Sequence, residues 1–201
     1  GTSDGFTFQN TGFQVLATGG SALNESGQGA NNMAGWAWRA GGAPSATNSN
    51  TSGAMTANSV SLNGVLQSSY TPAGSPSKYP TKMSINTKAG FSIVSWTGGG
   101  GSAETLPHGL SSKPDMMILK GLDARVWATY HKDSANATHY LKISTDQAQS
   151  SDATMFYNAA PDSNKFTVGS YNNVNAVNYV GFFWHDVPGY SKFGKYIGTG
   201  N

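Results

Sequence analysis

The chain has 201 residues, a formal net charge of +2 and only 11% charged side chains, against about a quarter in ordinary soluble domains. Glycine supplies 26 residues and cysteine none, which excludes disulfide scaffolds, thiolate nucleophiles and cysteine-ligated zinc. The Lys and Arg residues form no basic stripe, which argues against nucleic acid as a partner, and no apolar run reaches the roughly 18 residues of a membrane span.

Short apolar runs bounded by Gly, Asn, Pro or Ser predict strands along most of the chain. The first are Gly12–Leu16, Met33–Arg39 and Ser59–Leu62. Between Ala40 and Lys88 the composition turns to Gly, Ala, Ser, Pro, Asn and Thr, as in GGAPSATNSNTSGAMTANS. So little apolar surface predicts an extended connector carrying one or two edge strands. Further strands are expected at Met83–Thr87, Phe91–Thr97, Met116–Lys120, Val126–His131, Thr138–Ile143, Phe166–Val168 and Tyr179–Val187. Met116–Leu119 is continuously apolar and Tyr179–His185 carries large side chains on both faces, so both read as interior strands. Only Ser144–Met155 has room for a helical turn, and it lacks the apolar stripe of a longer helix. The expected fold is all-β, an antiparallel, jelly-roll-like β-sandwich.

Self-similarity suggests a repeat. Gly12-Phe13-Gln14-Val15 followed by Asn32–Trp38 parallels Lys165-Phe166-Thr167-Val168 followed by Asn178–Trp184, and Ser95–Gly100 parallels Lys195–Gly200. The organisation this predicts begins with the C-terminal half of a preceding β unit at 1–42. A Gly/Ser/Pro/Asn-rich connector follows at 43–88, then a complete β-sandwich unit at 89–187 and the start of a following unit at 188–201. The sequence is then a segment of a longer protein, or neighbouring chains complete the half-unit by strand addition.

No constellation reads as catalytic. The four histidines lack metal-ligand spacing, and His108 in Pro107-His108-Gly109 is expected to be a turn residue bonded to local backbone. The ten acids fall mostly in turns, where Asp bonds its own backbone, so no glycosidase pair is predicted. The glycine runs lack the Lys-Ser/Thr and the helix of a phosphate cradle. No enzyme, metal or cofactor is therefore expected. Trp36, Trp38, Trp96, Trp127 and Trp184 are expected to pack in the core from their strand positions. Loop tyrosines are the better candidates for stacking on a sugar: Tyr70, Tyr79, Tyr157, Tyr171 and Tyr190.

The run Lys88-Ala89-Gly90-Phe91-Ser92-Ile93-Val94-Ser95-Trp96-Thr97-Gly98 is followed by Leu106-Pro107-His108-Gly109-Leu110 and Lys113-Pro114-Asp115-Met116-Met117-Ile118-Leu119-Lys120. Trp127, Tyr130-His131-Lys132, Phe166-Thr167-Val168-Gly169 and Gly189-Tyr190-Ser191-Lys192-Phe193-Gly194 continue the string. In that order it resembles a repeat of unassigned function in tail-fibre-like structural proteins of marine and cyanobacterial tailed bacteriophages. Trp96-Thr97-Gly98-Gly99-Gly100 departs from the usual Asn- or Thr-containing glycine turn. The resemblance implies a virion structural protein, a tail-fibre or appendage segment supporting host-surface attachment, with no catalytic residues to carry over. Its partners would be other copies of itself, as a homo-oligomer of trimeric type, other virion proteins and a host surface glycan. The alternatives are a capsid-decoration protein and a carbohydrate-binding module recognising a host glycan.

Overall fold

A computed structural model describes residues 6–9, 12–15, 35–101 and 103–199. It divides into two compact units, 1–37 and 38–201. In the first, β1 (Phe6–Gln9) and β2 (Gly12–Val15) form an antiparallel hairpin with Phe6 opposite Val15. Trp36 is exposed, and residues 35–37 form no strand. Most of the first unit's remaining residues, including 32–34 of the expected repeat, lie outside the described residues.

The second unit is nearly all β. Its strands are β3 (Val60–Leu62), β4 (Val65–Leu66), β5 (Lys82–Asn86), β6 (Phe91–Thr97), β7 (Glu104–Pro107), β8 (Met116–Gly121) and β9 (Ala128–His131). They continue with β10 (His139–Lys142), β11 (Ser150–Ser151), β12 (Lys165–Val168) and β13 (Asn178–Trp184). A one-turn helix α1 (Ala153–Phe156) and a 3₁₀ turn at Ser170–Asn173 interrupt the strands. Nine strands make one mixed sheet in the order β11-β10-β9-β8-β13-β6-β5-β3-β4, and β7 pairs with β12 apart from it. All named pairs in the sheet are antiparallel except β3 with β5.

Period-two alternation decides what each strand buries. On one face, cross-strand register aligns Val60, Met83, Val94, Gly181, Leu119 and Ala128, with Trp96 opposite Tyr179 and Phe183 opposite Met117. These residues are buried almost completely. The β7–β12 pair and α1 cover this face with Leu106, Phe166, Met155 and Phe156. Trp96 stacks on Tyr179 at 5.3 Å, Phe166 meets the Trp96 edge at 5.7 Å, and Phe166 lies 4.5 Å from Phe183. The Trp96 indole donates to the Asn172 carbonyl, so its one polar group is paired inside the core.

As the sequence suggests, the Tyr179 strand is interior, between β8 and β6. Residues expected as connector contribute more than edges: β5 is hydrogen-bonded along its length to β6, and Met55, Val60, Met83 and Ile85 are in the core. Four buried side chains, two of them from a single strand, suffice to tie a Ser/Gly/Asn-rich segment into the sheet. The strands β1, β4, β7 and β11 are additions to the sequence reading, and within Ser144–Met155 the helical turn begins only at Ala153. Of the repeat correspondence, Lys165–Val168 and Asn178–Trp184 are strands, whereas residues 35–38 and 195–199 are not.

The tryptophan expectation needs correction. Trp96 and Trp184 are buried, but Trp36, Trp38 and Trp127 are exposed. None of the exposed three lies in a strand, and Trp38 instead rests from outside on Phe91 and Trp184.

Candidate functional site

A cleft of about 450 Å3 opens at the end of the sheet where β3, β5 and β13 finish and β6 begins. Arg39, Asn63, Asn86, Lys88 and Tyr190 are its polar lining. One wall is the segment 39–42, which crosses β3 and β5: Ser61 donates to the Gly41 carbonyl at 2.7 Å, as does the Gly64 amide at 2.7 Å, and Ser84 donates to the Gly42 carbonyl at 2.6 Å. The Asn86 amide donates to the Arg39 carbonyl at 2.9 Å. The approach is close enough that a Cβ on Gly41 would overlap the Ile85 carbonyl, so this position requires glycine.

The second wall is the two-residue turn Asn63-Gly64 between β3 and β4. Both residues have positive φ, 51° and 89°, as a primed hairpin turn demands. The Asn63 side chain is spent on this framework, accepting from the Thr87 amide at 3.0 Å and donating to the Thr87 hydroxyl at 2.9 Å. That bond ties the hairpin to the β5–β6 turn, whose exposed tip is Lys88. Within the same turn the Asn86 carboxamide oxygen accepts from the Ala89 amide at 3.1 Å.

Tyr190 closes the cleft from a turn made by Val187-Pro188-Gly189-Tyr190. Proline presets the first central position, Gly189 takes φ +74° at the second, and the Tyr190 amide donates to the Val187 carbonyl at 2.9 Å. The turn is anchored by a charge cluster beneath it. Lys132 reaches Asp186 at 2.7 Å and Asp115 at 3.3 Å, while Asp186 also accepts from the Phe193 amide at 2.6 Å. Asp115 in turn accepts from the Asp186 amide at 2.6 Å. The Lys132 bond holds the Asp186 carboxyl below its ordinary range, and the same bond raises the Lys132 amine. Tyr190 itself is 65% exposed, so its ring is presented rather than packed.

The other tyrosines expected to contact sugar lie elsewhere. Tyr70 and Tyr79 are half-buried against the core on either side of the 53–55 loop. The Met55 amide bonds the Tyr70 carbonyl, and the Tyr79 hydroxyl bonds the Gly53 carbonyl. Burial raises the Tyr70 phenol. Tyr157 is half-exposed in the left-handed C-cap of α1. The Tyr171 hydroxyl accepts from the Val126 amide at 3.1 Å, and the Arg125 guanidinium sits 5.0 Å above its ring. The structure therefore brings only Tyr190 of the five into the cleft. Arg39 and Lys88 were not singled out by sequence, where they are two cations among a dispersed twelve. The Asn-Gly turn between Leu62 and Val65 is the local signal that could have located one wall.

His108 is buried completely beside Phe183, with ring centroids 6.2 Å apart. The Leu110 amide donates to its Nδ1, so the ring proton resides on Nε2 and is donated to the Asp162 carbonyl at 3.1 Å. Burial lowers its pKa to about 4, opposed by the Asp162 carbonyl bond and charge. The neutral ring satisfies both neighbours, which makes His108 a structural clasp, as its turn position suggests. Among the described residues no group of His, Cys, Asp and Glu could hold a metal ion. No helix among them is long and apolar enough to cross a membrane.

Fold and site thus define a mostly-β domain with an open, cation-bearing cleft at one end of its sheet. The chain belongs to a family of domains of unknown function, DUF7483, whose model matches residues 68–201. That span supplies Asn86, Lys88, Ala89 and Tyr190 to the cleft, and the preceding residues 39–64 supply the facing walls. No curated protein and no solved structure matches the chain.

Proposed function

We propose that the chain is a non-enzymatic, jelly-roll-like β-sandwich module of a bacteriophage virion protein, a tail-fibre or appendage segment that supports host-surface attachment. In this reading the β7–β12 pair and α1 are the second layer of the sandwich. The observation that carries it is the ordered motif string and where its members fall. Trp96, His108, Asp115 and Phe166 each hold a layer, a turn or a strand end together, so the string that resembles fibre repeats is the string that builds the module.

The outer face of the sheet supports self-association. Register aligns Ile93, Phe182 and Ile118 across β6, β13 and β8, and buried Thr129 of β9 then separates Ile118 from Leu141 of β10; the four apolar side chains are half-buried within the single chain. With only 11% charged residues, copies would meet without strong like-charge repulsion, and the expected assembly is a trimer. The organisation proposed is a β unit at 89–187, extended by the β3–β5 strands of the preceding segment and repeated along a fibre.

Immunogold electron microscopy of phage particles with an antibody to this chain tests the reading. Label on tails or fibres is the expected result. Label on heads would make the module a capsid-decoration protein instead, and unlabelled particles of a phage that encodes it would overturn both. The carbohydrate-binding alternative is favoured by one feature, the presentation of Tyr190 at the cleft mouth.

A further inference from the structure

We infer that this cleft binds an acidic saccharide, a sugar bearing a carboxylate or sulfate group. The inference rests on the attachment reading above, and deepens it by naming the ligand's charge. A neutral sugar is usually held by amide and hydroxyl groups free to donate and accept. Here the two amides in the lining are committed to the walls: Asn63 bonds Thr87, and Asn86 bonds the Arg39 carbonyl and the Ala89 amide.

Three side chains remain for a ligand. Arg39 and Lys88 come from different walls, both are exposed, and neither has an ion-pair partner among the described residues. Among the described residues no carboxylate lines the cleft. The ion pairs among the described residues, the Lys132–Asp186 pair beneath the Tyr190 turn included, use other cations, so Arg39 and Lys88 are left to meet an anion from outside. Arg39 offers a planar fork suited to a carboxylate or sulfate, and Lys88 a mobile point charge beside it.

Tyr190 adds the saccharide element. Its ring is exposed, and its backbone is held by a proline-glycine turn anchored through Asp186 and Lys132, so binding has only the side chain to order. A flat aromatic face matches the apolar face of a pyranose, while its hydroxyl reaches the ring's polar edge. The cleft volume of about 450 Å3 lies within the roughly 300–1,000 Å3 of small-ligand sites. Single-site affinity for an open cleft of this kind is weak, and repetition along an oligomer would multiply it.

The test is calorimetric titration of the whole chain with an oligogalacturonate, its fully methyl-esterified counterpart and inorganic sulfate. The acid form is expected to bind at least about tenfold tighter than the ester, and to weaken several-fold between low and physiological salt. Arg39→Gln and Lys88→Gln should each cost about five- to tenfold in affinity for the acid and leave the ester unaffected. Tyr190→Ser should weaken acid and ester alike. All three side chains are exposed, and the framework uses only the backbones of Arg39 and Tyr190, so the variants keep the fold.

Acid and ester binding equally would overturn the charge inference, and sulfate binding as tightly as the uronide would reduce the site to an anion pocket. No binding of either sugar at millimolar concentration would remove the cleft as a saccharide site. None of these outcomes touches the position of the protein on particles, which the gold label reads independently.

Discussion

Two aromatic clusters occupy opposite faces of the same pair of strands, and they differ in what covers them. On the inner face Trp96, Tyr179, Phe166 and Phe183 interlock under the β7–β12 pair, and each is at most 1% exposed. On the outer face Trp38, Phe91, Phe182 and Trp184 also form a ring ladder: Phe91 stacks on Trp184 at 5.0 Å and Trp38 meets the Trp184 edge at 5.3 Å. Among the described residues no strand pair lies over it as β7 and β12 lie over the inner cluster; Phe91 and Trp184 are 3% and 5% exposed, and Trp38, which caps them, remains 53% exposed. Equal aromatic content thus serves two ends. The inner cluster is the source of stability, and the outer one is a surface held in shape by the first.

The largest expected effect tests that division directly. Trp96→Ala removes an indole whose ring is packed on two aromatics and whose N–H is paired. It should cost about 3–5 kcal/mol, read as a lower midpoint in urea unfolding with little change in slope. A loss below about 1 kcal/mol would mean that the inner layer is not the core.

The second effect comes from His108, on the inner side, where burial suppresses a charge. The unfolded chain protonates this ring near pH 6.5 and the folded chain only near pH 4. Its contribution is therefore fully present above pH 6.5 and disappears as pH falls through 4. Over that window the chain should lose about 3 kcal/mol of stability from this group. His108→Gln keeps hydrogen-bonding capacity without the titration, so its unfolding free energy should vary less across the same window. An unchanged pH slope in the variant would mean that the ring is not the buried neutral clasp described.

The inner face was the legible one. Alternation in Phe91–Thr97 and Tyr179–His185 announces strands with large side chains, and burial follows the period of two along β8 and over most of β6 and β13. What escaped was decided by tertiary covering. Trp38 sits in an aromatic-rich run that looks like a strand, yet segment 38–42 is held by the Ser61, Ser84 and Asn86 side chains and a single backbone bond from the Gly64 amide instead of a ladder. The strands β3 and β5 overlap the expected Ser59–Leu62 and Met83–Thr87, whereas β4 and the inclusion of β5 in the interior of the sheet were hidden by Ser/Gly/Asn-rich surroundings, although Asn63-Gly64 carries a turn signal at short range. The cleft depends on four chain segments meeting, and of its ligand-facing groups only Tyr190 had a local cue, the Pro-Gly turn before it.

The smallest effect is the one that separates a surface from a second core. Trp38 covers Trp184, which is 5% exposed, but its own ring is half in water, so Trp38→Ala should cost about 1 kcal/mol or less. Iodide quenching of tryptophan emission reads the consequence without needing a stability change. The variant loses one accessible indole and uncovers Trp184, so the emission that remains protected in the intact chain should become partly quenchable. A cost approaching that of Trp96→Ala would show that the outer ladder bears load equally, because a ring that stabilises the fold by several kcal/mol must exchange water for protein on most of its surface. A small cost with unchanged quenching would instead mean that Phe91 and Phe182 cover Trp184 without help, leaving Trp38 free to contact whatever meets this face of the sheet.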